Sequence, residues 1–335
     1  MRRSSNPGVV VAAISKEAAV EKKAASAKTK ARAALTVRRK SKEDFKDAIA
    51  GHLDALADMI GRNVVLELIS TDVDPKAGFA NFRDRVKHWI TINEPLQTAV
   101  NGYGVGIFAP GVREDTSIEP YLAAHHQLLA HAAAYAVYKE KFKATQGGEV
   151  GLVLDCEWAE AFSDKEEDKI ATERRLDFQL GWYLDPIFYG DYPAVMRQRL
   201  GDKLPKLSEK DKELPSNAID FVGLNHYTSR FISHVQKPRG IHFYQVQEME
   251  RIAKWNNGEV IGDKAASEWL YIVPWGIRRT LNYIATRYRN PKIYVTENGM
   301  DEEDSEISTL SEALNDTKRV GYFKGYIAAV AQAIR

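Results

Sequence analysis

Trp89-Ile-Thr-Ile-Asn-Glu-Pro95 and Tyr294-Val-Thr-Glu-Asn-Gly299 decide the reading of this chain. Each is an apolar, β-branched run that reads as a strand and ends in a Glu beside an Asn, just before a break made by Pro or Gly. Strand-like runs recur over residues 86–93, 151–155, 221–227 and 293–298. Helices are predicted between and after them, over residues 118–142, 278–287 and 317–334. Tyr121, Leu122, Leu128, Leu129, Ala132 and Tyr135 lie along the first of these helices. Short buried strands alternating with helices imply βα units and a parallel sheet. The strand starts at 86, 151, 221 and 293 give one unit per 65–72 residues. Eight such units would need more than about 500 residues, so these four cannot by themselves close an eight-stranded barrel.

The bulk numbers exclude several classes. The 335 residues are 44% hydrophobic and 28% charged, as in ordinary globular proteins. A net charge of +1 lacks the basic face of a nucleic-acid binder. Cys156 is the only cysteine, which leaves no internal disulfide and no Cys-rich metal site. No apolar run approaches the roughly 18 residues of a membrane span. We therefore expect no cofactor, no metal, no nucleic-acid partner and no membrane partner.

The first 40 residues differ from the rest. They carry eleven Lys or Arg against Glu17 and Glu21 alone, and no aromatic residue. They read either as an organelle transit segment, with a plastid as destination, or as a plain disordered tail. No secretory signal is evident. A helix is predicted over residues 41–61, with Ser41 as N-cap and Gly61 as stop. A strand follows over residues 63–70, then the turn Asp72-Val-Asp-Pro75.

Two carboxylates on the ends of two strands are what retaining glycoside hydrolysis requires. In that chemistry one of the pair Glu94 and Glu297 would attack the anomeric carbon, and the other would protonate the leaving oxygen and then act as base on a water, with the carboxyls roughly 5–5.5 Å apart. Like charge at that separation helps to keep the acid/base carboxyl protonated.

The two motifs resemble the acid/base and nucleophile motifs of glycoside hydrolase family 1, the plant β-glucosidase family. The likeness extends through Phe82-Arg-Asp-Arg-Val-Lys-His-Trp89, Leu180-Gly-Trp-Tyr-Leu-Asp-Pro186, Gly190-Asp-Tyr-Pro193, Asp220-Phe-Val-Gly-Leu-Asn-His-Tyr-Thr-Ser-Arg230 and Glu268-Trp-Leu-Tyr-Ile-Val-Pro-Trp-Gly276. It covers about residues 77–335. It implies an α/β fold of the (β/α)8 TIM-barrel type, incomplete, with strands 4–7 recognisable and strands 1–3 and 8 missing. It also implies that Asn93 donates to the sugar 2-hydroxyl and that Tyr227 hydrogen-bonds the nucleophile. Asn225 is expected to line the same pocket. Trp269 is a candidate stacking platform for a flat aglycone. Glu157 and Trp158 follow the fifth strand, near an acceptor group.

Other features read as structural. Trp89, Trp182 and Trp275 are expected in the core. His125, His126 and His131 are ordinary helix positions, and no base partner for Cys156 is visible in the sequence. The charged runs 209–213 and 301–306 read as solvated loops. Residues 40–76, with Asp44-Phe-Lys-Asp47, His52-Leu-Asp-Ala-Leu56 and Ile60-Gly-Arg-Asn-Val-Val-Leu-Glu-Leu-Ile-Ser70, resemble the region near the N-terminus of plastid plant lipoxygenases. The expected organisation is thus a basic tail (1–40), a lipoxygenase-like helix–strand fragment (41–76) and a partial family 1 barrel (77–335). Three functions follow as expectations. The first is retaining hydrolysis of small-molecule plant β-glucosides. The second is an inactive fragment of such an enzyme. The third is a lipid-associated protein acting through the N-terminal piece.

Overall fold

A computed structural model describes residues 75–334, apart from 209–210, 212–216, 237–239, 241, 256, 304–308, 310 and 312–313; before residue 75 it describes Val11–Ala12 and Val64–Glu67. The predicted helix over 41–61 and the bulk of the basic tail lie outside the described residues. The chain forms two compact units, Met1–Asn93 with Ala133–Leu152, and Glu94–Ala132 with Val153–Arg335.

The first unit contains β1 (Val11–Ala12), β2 (Val64–Glu67), α1 (Pro75–Phe82) and β3 (Val86–Asn93). The helix α2 (Glu119–Lys141) and the strand β4 (Glu149–Asp155) run through both units. The strand predicted over 63–70 forms as β2 and pairs in parallel with β3, Leu66 opposite Trp89 and Glu67 opposite Ile90. Phe79 centres this unit's core. Trp89 meets it edge-on at 4.9 Å and Tyr138 lies 4.9 Å away. Gln146 ties the same turn down by donating from Nε2 to the Phe79 carbonyl at 2.8 Å.

The second unit holds the C-terminal end of β4, then β5 (Trp158–Ala161), α3 (Glu166–Leu176), α4 (Trp182–Tyr189), β6 (Phe221–Asn225), β7 (Ser229–His234) and β8 (Met249–Ile252). It continues with α5 (Pro274–Arg287), β9 (Ile293–Glu297) and α6 (Thr317–Ile334). Strands β4, β6 and β9 lie side by side in that order, and β6 pairs in parallel with β9. Every residue of β6 is buried, as expected for a central parallel strand. Gly223 lets β4 approach, because a Cβ there would collide with the Val153 side chain. Parallel strands joined by helical crossovers are the repeating unit of a (β/α)8 barrel.

The last two helices, which pack on each other, show why the sequence folds as it does. Helix α5 begins with Pro274 in its first turn, where a missing N–H costs nothing, and buries Ile277, Leu281 and Ile284 at helical spacing. Helix α6 buries Tyr322, Tyr326 and Ala329 on one face. Arg287, at the end of α5, lies 2.6 Å from both Asp177 and Asp185. A second sheet of β5, β7 and β8 was not foreseen. Strand β5 runs parallel to β7, and β8 antiparallel. Its strands are four to six residues long and merge in sequence with the loops around them.

Candidate active site

Glu94 stands at the end of β3, at the first position of a helical turn that opens with Pro95. Its backbone is left-handed, φ 49° and ψ 56°. A residue before proline is driven from the right-handed helical region by the ring, and a non-glycine residue at positive φ is uncommon. Three backbone hydrogen bonds hold it there. Its N–H donates to Val153 at 2.9 Å, and its carbonyl accepts from Gln97 at 3.0 Å and Thr98 at 3.4 Å.

The strand ends are stitched in sequence. The Cys156 N–H donates to the Asn225 carbonyl at 3.0 Å, and the His226 N–H to the Glu297 carbonyl at 2.9 Å. Four of the expected site residues meet across these ends. Asn225 donates from Nδ2 to Glu94 Oε1 at 2.8 Å. The Tyr227 hydroxyl donates to Glu297 Oε2. Trp269 stands edge-on to the Tyr227 ring, centroids 5.9 Å apart, and is 50% exposed, so one flat aromatic surface faces solvent beside the pair. Asn93 is the last, half-buried residue of β3.

Burial is the main cause that lifts the Tyr227 phenol far above its ordinary range, and the charges of Glu297, Glu94 and Asp155 add to it. The phenol therefore stays protonated and donates. Asp155, at the end of β4, is a third carboxylate of the site. Burial raises it; Gln97, donating from Nε2 at 2.6 Å, and Arg175 oppose that rise, and Glu297 reinforces it. Asn101 in turn donates to Gln97 Oε1 at 2.6 Å and fixes which end of that amide faces Asp155.

A buffer of side chains behind the pair escaped the sequence reading. His226 Nδ1 lies 2.9 Å from the Cys156 carbonyl, and burial pushes its ring down to about 4, so it is neutral. Asn298 donates to the His226 carbonyl at 2.6 Å and to the Tyr322 hydroxyl at 2.9 Å. Tyr326, stacked on Tyr322 at 4.1 Å, donates its hydroxyl to the Tyr227 carbonyl at 3.0 Å. One face of α6 thus holds both the residue after Glu297 and the residue that binds it. The sequence reading gave a helix over 317–334 but neither these tyrosines nor their partners, 24 and 99 positions away.

The remaining candidates have partners of their own. Arg251 binds Glu157 through two bonds of 2.7 and 2.6 Å. Burial would raise the Glu157 carboxyl, but Arg251, Arg230 and Arg175 outweigh it and hold it low. Trp158 donates to Glu160 at 2.7 Å. His125 Nδ1 lies 3.0 Å from the Tyr192 hydroxyl, and His131 is fully buried. Burial pushes the Cys156 thiol up, away from the reactive thiolate. Trp89 and Trp182 are both 0% exposed, and Trp275 packs on the Phe231–Val273 cluster. Among the described residues no three His, Cys, Asp or Glu are placed to hold a metal ion, and no helix is long and apolar enough to cross a membrane.

Parallel βα units that carry two supported glutamates at strand ends are the pattern of the barrel glycosidases. The chain belongs to glycosyl hydrolase family 1, whose profile matches residues 75–335. It is 72% identical over 260 residues to beta-glucosidase 4 of Oryza sativa subsp. japonica, covering 78% of this chain and 54% of the relative. It is 60% identical to beta-glucosidase 42 of Arabidopsis thaliana, covering 77% and 53%. The crystal structure of a rice β-glucosidase superposes with a TM-score of 0.84 at 36% identity, over 88% of this chain and 69% of that one. A Humicola insolens family 1 β-glucosidase in complex with glucose superposes with a TM-score of 0.80 at 33% identity, over 88% and 68%. The chain spans about half the length of the curated relatives it matches.

Proposed function

We propose that the chain carries the catalytic pair of a retaining β-glucosidase acting on small-molecule plant β-glucosides. The observation that carries this reading is the double support of the carboxylates, Glu94 by Asn225 and Glu297 by Tyr227, in a family 1 chain. A mutant of the rice β-glucosidase has been solved in a covalent complex with Glc, which supports a glycosyl-enzyme route in a similar protein.

Glu297 forms an ester bond to the anomeric carbon as the bond to the leaving oxygen breaks, and Glu94 gives that oxygen its proton. A water then attacks the anomeric carbon, passes its proton to Glu94, and releases Glu297. The Tyr227 hydroxyl keeps the free Glu297 carboxylate oriented for its attack. Asn93 donates to the sugar 2-hydroxyl, a contact that strengthens in the transition state. The exposed face of Trp269 suits a flat aglycone. The organisation proposed for the whole chain keeps the basic tail (1–40) and the lipoxygenase-like piece (41–76) outside this chemistry.

The test is release of p-nitrophenol from p-nitrophenyl β-glucoside by the full chain, beside Glu297→Gln. Release by the wild type and none by the variant is expected. Equal release by both, or none from folded protein, overturns the reading.

A further inference from the structure

Strand β9 is irregular where its chemistry begins. Val295 lies opposite Leu224, and the next paired residue, Glu297, opposite Asn225, so Thr296 is the extra residue of a bulge. In a regular strand Thr296 and Glu297 would face opposite sides, and a bulge is the device that re-aims them. The Thr296 hydroxyl donates to Asn225 Oδ1 at 2.6 Å, while Asn225 Nδ2 donates to Glu94 Oε1 at 2.8 Å. One amide therefore links the residue before the nucleophile to the acid/base residue.

The two ends of an asparagine amide have nearly the same shape but opposite chemistry, one accepting and the other donating. Hydrogen bonds alone decide which end faces Glu94. Asn225 is 1% exposed and Thr296 9% exposed, so bulk water does not make the choice. We propose that Thr296 is a positioning residue for Glu94: its hydroxyl pins the carbonyl end of Asn225 and thereby turns the amide N–H groups onto the acid/base carboxyl. Donation from the amide favours the ionised form of Glu94, the form that must take a proton from water in the second half of the reaction. Without the hydroxyl the amide is released to present Oδ1, which favours protonated Glu94 instead. The other titratable groups in this field are Tyr227 after β6, Glu297 on β9 and Asp155 on β4, with Arg175 behind Asp155. The Tyr227–Glu297 and Gln97–Asp155 bonds do not involve the Thr296 hydroxyl.

The catalytic consequence rests on the glycosidase reading; the amide orientation belongs to the folded chain whether or not it turns over. The experiment is a carbon-13 NMR titration of the Glu94 carboxyl in the full chain, assigned with Glu94→Gln, comparing wild type, Thr296→Val, Thr296→Ser and Thr296→Ala. The midpoint is expected to rise by about one pH unit, a tenfold change in the protonation equilibrium, in the Val and Ala variants. Thr296→Ser restores the wild-type midpoint. Because Val adds a methyl group where Ala removes bulk, Ala carries the test if the Val variant does not fold. A Val or Ala titration that superimposes on wild type, or a Ser variant that behaves like Val, overturns the proposal. In a turnover assay the basic limb of the kcat/KM profile moves to higher pH in the Val and Ala variants and stays in place in the Ser variant. Absence of wild-type turnover would count against the glycosidase reading while the titration still decides the role of Thr296.

Discussion

Tyr227 reaches Glu297 with a proton it cannot lose at physiological pH, because burial and three neighbouring carboxylates hold the phenol far above its ordinary range. A hydrogen bond to a charged group contributes about 1.5–3 kcal/mol. In the proposed reaction Tyr227→Phe should therefore lower kcat/KM by roughly 10–150-fold, with KM for an aryl glucoside little changed. A loss confined to KM would place Tyr227 in ground-state binding instead. Glu94 and Glu297 could be proposed from the sequence because each sits in a short local pattern of strand, polar residue and break, and Tyr227 only through the family resemblance of its segment. Gln97, Thr296, Asn298 and Tyr326 could not, because each matters only through a partner brought to it by the fold. Asn225 could be assigned to the pocket from sequence, but not the two bonds that orient its amide.

Elements carry the site through contacts far from it. Arg287 closes the end of α5 against Asp177 and Asp185, and Tyr288 adds a 2.7 Å bond to Asp185. Burial raises both carboxyls, so removing the guanidinium leaves two carboxylates poorly solvated. Arg287→Ala should destabilise the second unit by about 3–5 kcal/mol, read from the urea midpoint. Arg287→Lys should recover little, since a single ammonium cannot bridge two carboxylates as a planar fork does. A Lys variant as stable as wild type would show that charge alone suffices. Helices α2, α5 and α6 were readable from their apolar spacing and strands β3, β4, β6 and β9 from their β-branched runs. The β5–β7–β8 sheet was hidden by strand shortness, and the β9 bulge because nothing in Tyr294-Val-Thr-Glu distinguishes a bulged strand from a regular one.

For the molecule as a whole, two buried rings set the acid limit of stability. Burial pushes His131 and His226 each down to about 4, from an ordinary value of 6.5. Between those values the unfolded chain binds protons that the folded chain refuses, so stability rises with pH there and is lost as pH falls. Each ring accounts for roughly 3 kcal/mol across the window. The urea midpoint should fall from pH 6.5 downward, before most carboxylates titrate, and His131→Gln should make that fall shallower; a midpoint flat to pH 5 would show that both rings accept protons in the fold. The left-handed backbone at Glu94 acts on the same whole-molecule balance. A side chain at positive φ costs on the order of 1 kcal/mol that glycine would not incur. A glycine there would relieve that cost and leave the strand end without a carboxylate, so stability and the proposed chemistry ask for different residues at position 94.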